Sequence, residues 1–102
     1  MTAVLFVRIT SDLDLAELEM RAEHRLPQFQ DVPGLIQKFF GKDEASGDIC
    51  GIYLFEDQAA LEAYRKSDLA KSIPDAYEAT HVRREVFDLM FPLPTGLSSI
   101  SS

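Results

Sequence analysis

Gly51-Ile52-Tyr53-Leu54-Phe55-Glu56-Asp57 runs without a break into Gln58-Ala59-Ala60-Leu61-Glu62-Ala63-Tyr64. The first half is rich in β-branched, aromatic and aliphatic side chains, which suit a pleated strand. Asp57 then offers a helix N-cap, and Leu61 and Tyr64 fall on one side of the following turns. A strand that turns directly into a helix fixes the local chain path over fourteen residues, and the rest of the chain must be built around it.

The flanking segments supply that frame. Ala3 to Ile9 reads as a strand that is apolar at nearly every position. Ser11 and Asp14 have capping-box spacing. Leu15, Leu18, Ala22, Leu26 and Phe29 then recur at three- and four-residue steps, an amphipathic helix that Pro27 should kink or end. Val32-Pro33-Gly34 is a loop and Leu35 to Lys42 a second strand. The polar stretch Asp43 to Asp48 is a hairpin connection into the third strand, Ile49 to Phe55. The second helix runs from Gln58 to Lys66, with a further helical piece through Leu69 and Ile73 that Pro74 stops. Thr80 to Leu89 is the fourth strand. The order is βαββαβ: an α+β, ferredoxin-like chain whose four-stranded antiparallel sheet carries its helices on one face. Residues 1–89 form this domain. Residues 90–102, with Pro92, Pro94, Gly96 and serines, form an arm ending in a disordered tip.

Strand parity extends the inference. Leu5, Val7 and Ile9 share one face of strand one, with Val4 and Phe6 on the other; strand three splits into Cys50, Ile52, Leu54 and Gly51, Tyr53, Phe55. Two helices cover only one side of the sheet. The second side would then expose Phe6, Tyr53, Phe55 and either Phe39 or Phe40, too large an aromatic patch for a monomer. A homodimer in which two sheets face each other is expected. The arm, through Phe91, Pro92, Leu93 and Pro94, is expected to lie over an apolar surface of the partner.

Composition excludes several classes. Ten basic against seventeen acidic residues give a net charge of −7, and no basic run exceeds two residues. Neither a phosphate backbone nor an anionic membrane surface is an expected partner. The apolar run Ala3 to Val7 has no basic flank and is too short for a signal peptide or a membrane span. Cys50 is the only cysteine, so no intrachain disulfide forms, and a reduced, cytoplasmic setting is the simplest expectation. No His-x-His, His-x-x-x-His or Cys/His cluster supports a metal site. There is no glycine-rich phosphate loop and no dinucleotide fingerprint.

Few residues stand out chemically. Arg8 and Arg83 interrupt mostly apolar strands, and each must find a carboxylate, reach water or face a ligand. Tyr53 and Tyr64 bring phenols into apolar surroundings, where a hydroxyl normally finds a partner. His81 begins strand four on the same face as Arg83 and is the one histidine placed to act as a general base. His24 lies opposite the apolar stripe of its helix and is expected in solvent. Cys50, alternating with Ile52 and Leu54, reads as a small core residue. Tyr64, His81 and Arg83 are the expected catalytic set, between helices and sheet, with Tyr53 and Tyr64 lining a substrate pocket.

Pro33-Gly34, Gly51-Ile52-Tyr53-Leu54-Phe55 with Asp57, Ala63-Tyr64, Val86-Phe87-Asp88 and Pro92-Leu93 together resemble the YdhR-type putative mono-oxygenases of the dimeric α+β barrel group. The pattern covers nearly the whole chain to about residue 93; it departs after Asp88, where Leu89-Met90-Phe91 replaces a more polar link. The lack of tryptophan weakens the haem-degrading branch of the same fold. The resemblance implies a mono-oxygenase acting on a small aromatic or quinol-like molecule without metal, flavin or nicotinamide. The alternative is a non-catalytic homodimer that binds a small apolar ligand or serves as an accessory domain.

Overall fold

The computed structural model describes residues 2–93. Pro94 and the expected disordered tip lie outside the described residues. β1 (Ala3–Ser11) leads to α1 (Leu15–Phe29), the hairpin β2 (Leu35–Asp43) and β3 (Asp48–Phe55), then α2 (Gln58–Arg65), the short α3 (Asp68–Lys71) and α4 (Ile73–Ala76), and β4 (Ala79–Asp88). The sheet order is β2-β3-β1-β4 and every pairing is antiparallel, the ferredoxin-like arrangement.

The helix boundaries depart from expectation at three points. Asp14, not Ser11, caps α1, accepting from the Glu17 amide at 2.9 Å. Ser11 Oγ instead donates to the Tyr77 carbonyl at 2.7 Å and accepts from the Leu13 amide, so it ties the end of β1 to the turn before β4. α1 continues past Pro27 to Phe29, because a proline so near a C-terminus removes only one of the last helical bonds. Pro74 opens α4 rather than ending a helix. Its fixed φ and missing N–H are harmless in a first turn.

Gly34 locks the α1–β2 loop to the corner where β3 becomes α2. Its φ is +78°, its carbonyl accepts from the Glu56 amide at 2.8 Å, and a Cβ there would lie 2.5 Å from the Ala60 Cβ.

The register decides which residues share a face, because directly opposed residues in an antiparallel pair point the same way. β1 pairs Ala3 with Phe55, Leu5 with Tyr53 and Val7 with Gly51. Tyr53 and Phe55 therefore lie under the helices, with exposures of 2% and 0%. This corrects the expectation that they belong to the uncovered face: Phe6 pairs with Ile52, not with an aromatic of β3. The uncovered face instead carries Val4, Phe6, Ile52, Leu54, Phe39 and Phe87. Cys50 shares this face, half-buried, and is not a core residue.

β2 has a register irregularity between Leu35 and Gln37, which leaves Ile36 as an extra, exposed residue. Leu35 pairs with Phe55 and Lys38 with Tyr53, so both face the helices although they stand an odd number of residues apart. On the uncovered face Arg8 donates to Asp48 at 2.7 Å and to Asp43 at 2.9 Å, fastening the β2–β3 hairpin to the central strand. The guanidinium holds the Asp43 carboxyl below its ordinary value.

Candidate active site

The space between helices and sheet is built from aromatic side chains. Phe29 of α1, Tyr53 and Phe55 of β3 and Tyr64 of α2 each stand with their ring centroid 5.1 to 6.4 Å from at least two of the others. The Tyr64 hydroxyl donates to that of Tyr53 at 3.1 Å. Burial holds both phenols in their protonated form, with Tyr53 displaced furthest upward.

Lys38 enters this cluster from β2. Its Nζ lies 3.4 Å from the Phe29 ring centroid, 4.3 Å from Phe40 and 4.4 Å from Tyr53. Gly51 makes the room: a Cβ there would meet the Tyr53 ring at 3.1 Å and Lys38 Cε at 3.4 Å. Among the described residues no carboxylate pairs with this amine. The ring faces favour the ammonium. Burial and the positive charge of Arg25 oppose it and push the Lys38 amine down to about 7. Arg25, one turn before Phe29 on α1, stacks over the rings of Phe29 and Tyr77 and donates to Ser72 Oγ at 3.0 Å. Its buried Nε has no partner among the described residues.

A groove and a small void lie on the α1 side of the sheet. An open groove of about 470 Å³ runs between α1 and the β2–β3 hairpin, walled by Leu15, Ala22, Leu26, Phe40 and Ile49. Leu26 belongs to the apolar stripe of α1 yet is 43% exposed, because it forms this wall rather than touching the sheet. At the rim, Lys42 pairs with Glu19 at 2.9 Å. A void of about 20 Å³, room for one water-sized group, lies inward beside Lys38, Phe29, Tyr53 and Tyr77. Phe40 and Ile49 border both spaces.

Of the expected set, Tyr53 and Tyr64 come together, and His81 and Arg83 do not join them. β4 pairs Arg83 with Arg8 and His81 with Thr10, on the uncovered face, where both are exposed and Arg83 pairs with Glu85 at 3.2 Å. The expected convergence with Tyr64 is thus corrected by register. Arg84, paired with Val7, faces the helices instead and borders a small cleft with Tyr64 and Lys71. His24 is exposed as expected. Among the described residues no three His, Cys, Asp or Glu side chains gather as metal ligands.

A family model described as putative mono-oxygenase YdhR matches residues 4–98. The chain belongs to that family. No curated protein sequence matches it. Among solved structures, the YdhR-family chain is similar to SnoaB, a cofactor-independent oxygenase from Streptomyces nogalater, at 16% identity and a TM-score of 0.74, over 92% of this chain and 98% of that one. A protein of unknown function from Nitrosomonas europaea gives 22% identity and 0.73, over 93% and 96%. A putative antibiotic biosynthesis monooxygenase from Deinococcus radiodurans gives 11% and 0.70, over 93% and 98%. At these identities the likeness is one of fold.

Lys38 and Arg25 are the polar groups of this candidate site in the YdhR-family chain that sequence reasoning passed over. One signal was present: Arg25 and Phe29 have the i,i+4 spacing that brings a cation onto a ring. Lys38 had none, since the extra residue Ile36 breaks the alternation that would have set its face.

Proposed function

We propose that this chain is a mono-oxygenase that needs no metal, flavin or nicotinamide and oxidises a small, flat hydroxyaromatic or quinol-like molecule. The observation that carries the reading is the groove between α1 and the hairpin, which has the volume of a small-molecule site and is separated by Phe40 from a small void beside Tyr53 and the unpaired amine of Lys38. Family membership and the fold shared with a cofactor-independent oxygenase support it.

The chemistry asks little of the protein. An electron-rich aromatic anion gives one electron to dioxygen, and the resulting radical and superoxide join through a new C–O bond. At a ring methylene, the hydroperoxide formed after proton transfer loses water to leave a carbonyl. One oxygen atom ends in product and one in water. The protein binds the rings in an apolar groove, excludes water from the reacting carbon, and offers hydrogen bonds and positive charge to the substrate oxygen. Tyr53 and Tyr64 are the proposed phenolic contacts. Dioxygen uptake with a panel of anthrones and naphthoquinols, with and without chelator, tests the reading. The expected result is chelator-insensitive uptake, with one oxygen-18 atom per anthraquinone formed. Uptake no faster than without protein across the panel would leave the ligand-binding alternative.

The working unit is proposed to be a cytoplasmic homodimer joined through the uncovered sheet face. Phe39 and Phe87 stand half exposed there beside Phe6, Ile52 and Leu54. Burying each large side chain is worth about 1.5–3 kcal/mol. The arm belongs to the same proposal, because Phe91 and Leu93 are 73% and 81% exposed on the single chain and would lie on the partner. None of the described helices is long and apolar enough to cross a membrane. Light scattering at micromolar concentration should give a dimer for the unmodified protein and monomer or aggregate for Phe6→Asp. A well-folded monomer of the unmodified protein would contradict the assembly.

A further inference from the structure

We propose that Lys38 is the base that ionises the hydroxyaromatic substrate and that, once protonated, it holds the resulting oxyanion together with Arg25 across the ring of Phe29. The inference rests on the site reading above and assigns its proton transfer.

Three observations converge on it. First, Lys38 and Arg25 both lie over the ring of Phe29, and among the described residues no carboxylate pairs with Lys38. Once Lys38 takes up a proton, two cations stand together there and an anion is needed to balance the second. Second, the adjoining spaces match the parts of a hydroxyaromatic molecule. The groove of about 470 Å³ takes flat rings, and the void of about 20 Å³ beside Lys38 takes one oxygen. Phe40, half exposed, stands between them and is the side chain that must turn to join them. Third, Arg25 presents a buried Nε–H without an acceptor among the described residues.

The step balances with the groups present. The substrate O–H bond breaks, its electron pair stays on oxygen, and the proton forms an N–H bond with the Lys38 lone pair. The pocket then contains two cations and one anion instead of one cation and a neutral amine. Its net charge is unchanged, but opposite charges now stand together in a water-poor site. The other titratable groups facing Lys38 are the phenols: Tyr53 from β3, with Tyr64 of α2 bonded to it, and Tyr77 beyond α4. Burial holds all three protonated, so none competes for the role. An amine pushed down to about 7 is available as free base at neutral pH.

The test uses 4-nitrophenol, whose yellow anion reports ionisation and which undergoes no oxygenation. Titrated on the unmodified chain, bound probe should ionise at least about one pH unit below free probe, a tenfold larger ionisation constant. Lys38→Met should abolish the shift, Arg25→Gln should reduce it, and the exposed Lys66→Met should leave it intact. Probe that fails to bind, that ionises at its free midpoint, or that keeps its shift in Lys38→Met overturns the assignment. Should Lys38→Met fail to fold, the unmodified protein with Cε-labelled lysine still decides by NMR. One lysine should titrate near neutrality and turn to its ammonium form when probe is added at about pH 8; lysines that all titrate at ordinary values overturn the assignment. A positive probe result without dioxygen uptake keeps the base and removes the mono-oxygenase reading. Uptake unchanged in Lys38→Met does the reverse.

Discussion

Gly34→Ala is expected to lower the melting temperature by roughly 10–25 °C, measured by calorimetry or circular dichroism. Two costs combine. At a φ of +78° an alanine Cβ crowds its own carbonyl, worth about 1–2 kcal/mol. The same Cβ would also lie 2.5 Å from Ala60 Cβ, so α2 must shift, at about 1–3 kcal/mol for overpacking. Neither element can yield cheaply, because the Glu56 amide bonds the Gly34 carbonyl and Leu61 is fully buried one residue beyond Ala60. Adding Ala60→Gly should restore the part due to the clash and leave the part due to φ, read against Ala60→Gly alone. If Gly34→Ala melts within a few degrees of the unmodified protein, the loop is not the lock described.

Lys38→Met is expected to raise stability, and by more at low pH than at high pH. The sign follows from the direction of the shift. The folded protein binds the Lys38 proton only below about 7, whereas the unfolded chain binds it up to the ordinary lysine value of 10.5. Below about 7 the lysine is charged in both states and the folded state bears the full cost of burying that charge. As pH rises from there toward 10.5 the cost fades. The rings of Phe29, Phe40 and Tyr53 return part of it. The gain from methionine is therefore about 2–4 kcal/mol at pH ~6 and close to zero from this source near pH ~10.5. Urea titrations of both proteins at several pH values measure it. A difference that does not change with pH would mean that Lys38 bears no burial cost.

The element order was legible because each segment carried a local signal that tertiary packing had no reason to override. Asp57 caps α2 and Leu61 and Tyr64 are buried, as their spacing requires. The identity of each face was not legible, because β1 and β3 are apolar on both sides and a one-residue choice of register exchanges them. That choice moved Tyr53 and Phe55 inward, and a similar choice in β4 placed Arg84 inside and Arg83 outside. The buried phenols of the candidate site, Tyr53 and Tyr64, stood out because a hydroxyl among apolar residues is unusual. Lys38 did not, because a lysine between Gln37 and Phe39 reads as an ordinary surface position of an outer strand.

The extra residue in β2 has a consequence for how this site can vary. Ile36 divides the strand into two lengths that keep separate phase. Before it, Gly34 and Leu35 are fitted to α2 and the end of β3; after it, Lys38 and Phe40 are fitted to α1 and the middle of β3. A regular strand would couple these fits, since Leu35 and Lys38 could not both point inward. With the slip in place, the pocket side of the strand can change residue by residue while the anchoring end stays fixed. A single inserted position thus separates the part of the strand that holds the fold from the part that borders the groove and the void.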